Sequence, residues 1–186
     1  MGTAPVALRP LRPADLPLLA HWLQDPDVSD YYTEPADVAH LAAKYGPRMR
    51  GEEPVRVHLV VADGAGVGFA QHYLLPDDER RRLRLSDDRV WGGFDLFIGD
   101  RGARGRGLGL ATVRTLLDAL RVEGATAVAV DAWVANTRAI RCYERAGLHV
   151  ARHLPRHERW RGSWREHVLM TADFRGTRPL PPAPAP

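Results

Sequence analysis

The chain has 186 residues, 45% of them hydrophobic, and a formal net charge of +3. That length favours one domain with a sizeable core, the hydrophobic content excludes disorder over most of the chain, and the mild positive balance fits an anionic ligand without demanding one. Cys142 is the only cysteine, which excludes an intramolecular disulfide and a CxxC metal site, and Lys44 is the only lysine, so nearly all the positive charge is arginine.

Val6, Leu8 and Leu11 predict a first edge strand. Pro13-Ala14-Asp15 opens a short amphipathic helix through Leu16, Leu19, Trp22 and Leu23, which Pro26 is expected to stop. Tyr31 and Tyr32 follow in a segment without periodicity, where they either pack the chain down or contact a ligand, and residues 36–45 read as a second helix. Alternation from Val55 to Val61, a turn at Asp63-Gly64-Ala65-Gly66 and a return over residues 67–75 predict a hairpin. Residues 76–89 balance five acids against five arginines and read as a solvated loop or a mobile rim over a cleft.

Residues 91–120 organise the rest. An apolar run, Phe94, Leu96, Phe97 and Ile98, is short enough for a strand, and Leu108, Ala111, Val113, Leu116, Leu117 and Leu120 recur at helical spacing. Between them lies a turn rich in glycine and arginine. A helix start presents unpaired N–H groups and the positive end of its dipole, so strand, glycine turn and helix together predict a pyrophosphate cradle. Arg104 and Arg106 would add charge, while Gly105, Gly107 and Gly109 would let a ligand reach the backbone.

Residues 126–132 then alternate as a strand ending at Asp131. Asn136 or Thr137 caps a helix carrying Ala139, Ile140 and Tyr143, and Gly147 ends it. Residues 148–154 and 166–171 read as late strands separated by a polar loop at 157–165. Residues 1–174 are expected to form one domain and the proline-rich residues 175–186 a disordered tail. The alternation of elements predicts an α/β fold with a mixed central sheet flanked by helices. Neither a signal peptide nor an 18-residue apolar span is visible, so a cytoplasmic protein without membrane partner is expected. The histidines lack HExxH spacing, which disfavours zinc hydrolysis.

Arg104-Gly105-Arg106-Gly107-Leu108-Gly109 satisfies the Arg/Gln-x-x-Gly-x-Gly pattern of the GCN5-related N-acetyltransferases, and residues 136–148 resemble that family's later signature with its helix-borne tyrosine. Leu8-Arg9-Pro10-Leu11, Tyr31-Tyr32, Gly68-Phe69-Ala70-Gln71 and Asp95-Leu96-Phe97-Ile98-Gly99 are similar to the aminoglycoside 6'-N-acetyltransferases within it. Related siderophore-pathway acyltransferases share part of this pattern. Asp131-Ala132 stands where the aminoglycoside subgroup commonly has aspartate-proline, and residues 156–165 are rich in arginine and tryptophan.

The resemblance implies acetyl-CoA as cofactor, a small-molecule amine as acceptor and direct acyl transfer by a monomer or homodimer. It implies cofactor contacts from Phe97, Ile98, Gly99, the 104–109 turn, Asn136 and Ala139, and acceptor contacts from Tyr31, Tyr32, Gln71, Asp95 and Asp131. Asp95 and Asp131, on successive strands, would turn two carboxylates toward one cationic amine, and Tyr143 resembles the family's proton donor to sulfur. Taken residue by residue, each aspartate could instead cap a helix or close a turn, and Tyr143 could be a core aromatic. An arginine-rich nucleic-acid-binding module is the alternative of another class, disfavoured because no aromatic interleaving or helix-turn-helix spacing accompanies the arginines.

Overall fold

A computed structural model describes residues 5–174. Seven strands form one sheet, β1 Val6–Pro10, β2 Val55–Ala62, β3 Ala65–Leu74, β4 Trp91–Ile98, β5 Ala127–Trp133, β6 His149–Trp160 and β7 Ser163–Asp173, in the order β1-β2-β3-β4-β5-β7-β6. Every neighbouring pair is antiparallel except β4 and β5, which are parallel. The six α-helices among the described residues are α1 Leu16–Leu23, α2 Pro26–Ser29, α3 Val38–Met49, α4 Asp77–Arg82, α5 Leu108–Val122 and α6 Thr137–Arg145. The expected mixed sheet flanked by helices is the architecture found.

Helices cover both faces of the sheet. On one face α5 buries Leu108, Val113, Leu116 and Leu120 against Val60, Phe94, Val128, Val130 and Met170. Each such side chain contributes roughly 1.5–3 kcal/mol when removed from water. On the other face Leu19 and Trp22 of α1 and Leu41 and Tyr45 of α3 enclose Leu59 and Phe69.

Three expectations change. Pro26 does not simply stop α1, which ends at Leu23; it occupies the first turn of α2, where its missing N–H costs nothing, and the Asp25 carboxylate caps that turn by accepting from the Asp27 N–H at 3.2 Å. Residues 76–89 are not wholly a loop, because α4 forms within them with Asp77, Asp78 and Glu79 in its first turn and Arg80, Arg81 and Arg82 in its last, the arrangement a helix dipole favours. Arg80 pairs with Asp77 at 2.7 Å, and Leu83 buries beside Trp91 just past the helix end. The polar loop expected at 157–165 is the tip of a long hairpin in which β6 and β7 turn through Arg161 (φ 46) and Gly162 (φ 84), both in the left-handed region that a two-residue hairpin turn requires. The proline-rich residues 175–186 lie outside the described residues.

Candidate active site

β4 and β5 are paired only where Trp91 meets Ala127 and Gly92 meets Val128. Beyond that point the two strands part, and the edge of β4 from Phe94 to Ile98 that faces β5 has no ladder partner. A cleft of about 700 Å³ occupies the gap and opens toward both faces of the sheet. Strand alternation decides what each face contributes. Phe94, Leu96 and Ile98 pack toward α5, whereas Phe97 joins the aromatic cluster on the α3 side, with Asp95 on that same face.

On the α5 side, Asp100 accepts from the Ala103 N–H at 3.0 Å and fixes the turn after β4. Gly107, at φ 82 and ψ 0, is the N-cap of α5 and supplies no side chain to its first turn, leaving those N–H groups to face the cleft that Leu108 and Gly109 line. Asn136 caps α6 by accepting from the Ala139 N–H at 3.1 Å, and both residues line the same wall.

The positive charge here does not come from the residues the glycine turn singled out. Arg104 lines the cleft but donates to Asp25 at 2.7 Å, to Asp27 at 3.0 Å and to the carbonyl oxygens of Ile98 and Gly99, so its guanidinium holds the turn together. Arg106 lies outside the cleft wall and pairs with Asp63 at 2.9 Å. Gly99 also stands off the cleft: a Cβ there would fall 2.1 Å from the Trp22 ring, so the glycine serves helix packing. Arg138, Arg141 and Arg145 line the cleft instead, spaced three and four apart on one side of α6 with no ion-pair partner among the described residues. Sequence reasoning missed this stripe, although its spacing was legible.

Tyr143 reaches the gap from the α6 side, edge-on to Phe94 with ring centroids 5.5 Å apart. Burial, then the nearby Asp95, raises its pKa, so the phenol keeps its proton. Its hydroxyl makes no hydrogen bond among the described residues, and the residue lines the cleft.

The opposite face is acidic and aromatic. Asp95 accepts from Gln71 at 2.7 Å and from the Tyr73 hydroxyl at 3.3 Å. Its pKa is raised, because burial and the charge of Asp131 outweigh those two hydrogen bonds. Asp131 is open to the cleft and its pKa moves the other way: burial opposes ionisation, but His157 and His167 outweigh it by hydrogen bonding and charge. The two carboxylates therefore do not present equal partners to an amine, as the sequence reading had them.

Tyr32 and Tyr31 divide the roles left open for them. Tyr32 is tied down, its hydroxyl 3.1 Å from that of Tyr45 and its ring against Phe69 and Phe97, whereas Tyr31 is exposed at the rim beside Trp133. Both line the cleft.

Asp131, His157 and His167 place possible donor atoms within 4.8 Å of one another. His167 Nδ1 lies 2.6 Å from Asp131 Oδ2 and His157 Nε2 lies 3.5 Å from the same oxygen. Two ligands of one tetrahedral zinc, each about 2.0–2.1 Å from it, sit about 3.3 Å apart, so the His167 contact is a hydrogen bond. Neither histidine was a sequence candidate. His167 reaches Asp131 through cross-strand register, Trp133 opposite His167, and His157 comes from the irregular stretch of β6 between Leu154 and Glu158, neither of which spacing along the chain reveals.

Residues 12–155 match the family model described as the acetyltransferase (GNAT) domain, and the chain belongs to that family. It is 29% identical over 148 residues to the aminoglycoside N(6')-acetyltransferases type 1 of Klebsiella pneumoniae and Serratia marcescens, an alignment spanning 77% of this chain and 73% of those proteins. The solved structure of AAC(6')-Ib with ribostamycin and coenzyme A superposes with a TM-score of 0.76 at 27% identity, covering 94% of this chain and 98% of that one. A spermidine N-acetyltransferase from Vibrio cholerae, solved with coenzyme A and spermine, shares the fold at a TM-score of 0.75 and 17% identity over 91% of this chain and 96% of its own. The protein is an acetyl-CoA-dependent acetyltransferase. The α5 terminus, which no side chain caps, the free β4 edge and the α6 arginines, which have no ion-pair partner among the described residues, suit the pyrophosphate, the amide-bearing arm and the remaining phosphate of that cofactor. No helix among the described residues is long and apolar enough to cross a membrane.

Proposed function

We propose that the protein acetylates the 6'-amine of aminoglycoside antibiotics by direct transfer. The observation that carries this reading is the segregation of charge within one cleft. Arginines without an ion-pair partner among the described residues stand on the α6 side, while on the acceptor side Asp95, Asp131, Glu34 and Glu158 all line the wall. The basic residues beside them are engaged: Lys44 pairs with Glu34, and Arg165 donates to the Asp30 carbonyl at 2.8 Å while lying 3.9 Å from the Trp133 ring centre. A polycation is attracted to such a pole even though the whole chain carries +3.

Acetyl-CoA supplies an acetyl thioester. Asp95 and Asp131 hold the ammonium group of the acceptor at the gap between β4 and β5, and the exposed Tyr31 at the rim offers a flat surface to sugar rings. Tyr143, protonated and free of internal partners, gives its phenolic proton to the departing sulfur. Related acyltransferases acting on a hydroxylysine-like siderophore precursor would need a free arginine for its carboxylate. Against that, Arg156 stacks on Trp164, Arg161 on Trp160, and Arg165 between Trp133 and Trp160.

Thioester release measured with kanamycin-type aminoglycosides, with analogues lacking the 6'-amine and with hydroxylysine tests the assignment. Product at the 6'-amine alone is expected. Turnover of hydroxylysine with none of the aminoglycosides would sink the aminoglycoside reading and leave the acetyltransferase intact.

A further inference from the structure

We propose that His167, oriented by Asp131, is the base that takes the proton from the acceptor ammonium, and that Asp131 positions this imidazole instead of accepting the proton itself. The inference rests on the reading of the acidic side as the acceptor site. His167 Nδ1 is 2.6 Å from Asp131 Oδ2, a short contact that assigns the Nδ1–H donor to the carboxylate, so that in the neutral ring the lone pair is on Nε2. The side chain is nine-tenths buried, lines the cleft, and its Nε2 has no hydrogen-bond partner among the described residues. Across from that nitrogen, at 3.4 Å, is Glu158 Oε2.

In the neutral ring, the Nε2 lone pair and a carboxylate oxygen facing each other at that separation repel; a proton on Nε2 relieves this in the imidazolium, and a proton-bearing ligand that bonds to both relieves it in the neutral ring. An ammonium does so with two N–H bonds, one to each. The groups that face His167 are Asp131 from β5, and His157 and Glu158 from β6, with Arg82 of α4 lying 3.4 Å from the His157 ring nitrogens and Asp95 across the cleft. Apart from Arg82 and the His157 ring, the charged groups in this set are carboxylates.

Neither carboxylate is as well suited. Asp131 is held ionised by two imidazoles and so is a weak base, and Asp95 already receives hydrogen bonds from Gln71 and Tyr73. A general base is most effective when its affinity for protons matches the working pH, and imidazole is the side chain whose ordinary range lies there.

The proton balance closes. His167 Nε2 takes one proton from R–NH3+, the neutral nitrogen bonds to the acetyl carbon, and the carbon–sulfur bond breaks. The second proton lost by that nitrogen replaces, through the cleft, the one Tyr143 gives to sulfur. His167 returns its proton to solvent.

The test uses the full chain with EDTA in every assay. His167→Gln should lose about 100-fold in kcat at neutral pH, the low end of what a general base supplies. It should recover turnover as the pH rises and the amine deprotonates unaided, and should bind acetyl-CoA as the unsubstituted protein does in calorimetry. His167→Ala should be partly restored by added imidazole. A His167→Gln enzyme with the original pH profile overturns the proposal, and so does a loss that neither alkaline pH nor imidazole repairs. Activity abolished by EDTA and returned by zinc would make the cluster a metal site and likewise overturn it. Nitrogen NMR of the side chain above pH 8 needs no acceptor: Nδ1-protonated His167, lost in Asp131→Asn, is expected, and an Nε2-protonated ring refutes the dyad. If aminoglycosides give no product, the acceptor assignment fails by itself, while the tautomer measurement still decides the dyad.

Discussion

Arg104 and Asp25 lie 79 residues apart in the chain and 2.7 Å apart in the structure. The pair, little exposed on either side, joins the glycine turn to the segment between α1 and α2, and Arg101 adds a second guanidinium to the same carboxylate at 2.8 Å. Hydrogen bonds from Arg101 and then Arg104 hold the Asp25 carboxyl far below its ordinary pKa. Arg104→Ala should therefore act first on the fold of the turn, leaving the Ile98 and Gly99 carbonyls without their donor. The expected result is a fall of roughly 5 °C in Tm, together with weaker acetyl-CoA binding. A variant with unchanged Tm and lost cofactor affinity would return Arg104 to the phosphates.

Gly107 faces a different constraint. At φ 82 it occupies the left-handed region, where a side chain costs about 1–2 kcal/mol, and as the N-cap of α5 it stands at the pyrophosphate site proposed for the cofactor. Gly107→Val should weaken acetyl-CoA binding by at least tenfold and destabilise the protein by a similar 1–2 kcal/mol. Gly109→Ala is the comparison, since a Cβ there meets only Cys142 Sγ at an ordinary 3.8 Å. Calorimetric titration with coenzyme A separates the two.

What could be read along the chain was whatever chemistry is local. The strand, glycine turn and α5 announce themselves by periodicity and by glycines, and Asn136 occupies the cap that its side chain suits. On the acceptor face Asp95, Asp131, Gln71, Tyr31 and Tyr32 were legible through the family resemblance. Its other members arrive from far away: Tyr73 through β3 pairing, His167 and Glu158 through a hairpin whose charged, exposed residues conceal the alternation of a strand. The carboxylate partners of Arg104 were not legible for the same reason, because Asp25 and Asp27 are remote from it in sequence. α4 lacks an apolar stripe and is legible only through its charge order.

His58 and His72, on adjacent strands, are stacked with ring centroids 5.0 Å apart and His58 Nε2 is 3.2 Å from His72 Nδ1. One nitrogen must donate and the other accept, which two imidazolium rings cannot do. Burial, then the neighbouring His72 and Arg56 charges, pushes the His58 pKa down to about 4, and burial also lowers that of His72 against the pull of Glu123. Unfolded imidazoles take up protons near pH 6.5, so between about 6.5 and 4 the unfolded chain binds protons that the folded chain refuses. Stability from this pair is complete above that window and is lost as pH falls through it. Urea unfolding at pH 7 and pH 5 should differ by roughly 1–2 kcal/mol on this account, allowing for solvent at part of the ring, and the His58→Gln, His72→Gln double variant should flatten the slope. An unaltered slope would place the acid sensitivity elsewhere.

Asp95 and Tyr143 enter the gap between β4 and β5 from opposite faces of the sheet, and this geometry separates their expected effects. Asp95 sits among Gln71 and Tyr73 on the acceptor side, so Asp95→Asn should raise the acceptor KM by about tenfold while sparing acetyl-CoA affinity, as expected when a charge that holds the ground state is removed. Tyr143 packs on Phe94 by the edge of its ring, a contact that Tyr143→Phe keeps, so this variant should fold normally and bind both substrates. Only the proton is lost. With chemistry limiting, kcat should fall by about 100-fold with little change in KM, the signature of a group acting in the transition state alone. Presteady-state rates establish whether chemistry limits. If product release proves limiting in the unsubstituted enzyme, the same loss should appear in single-turnover rates, and a Tyr143→Phe enzyme with unaltered single-turnover rates would make the tyrosine a packing residue.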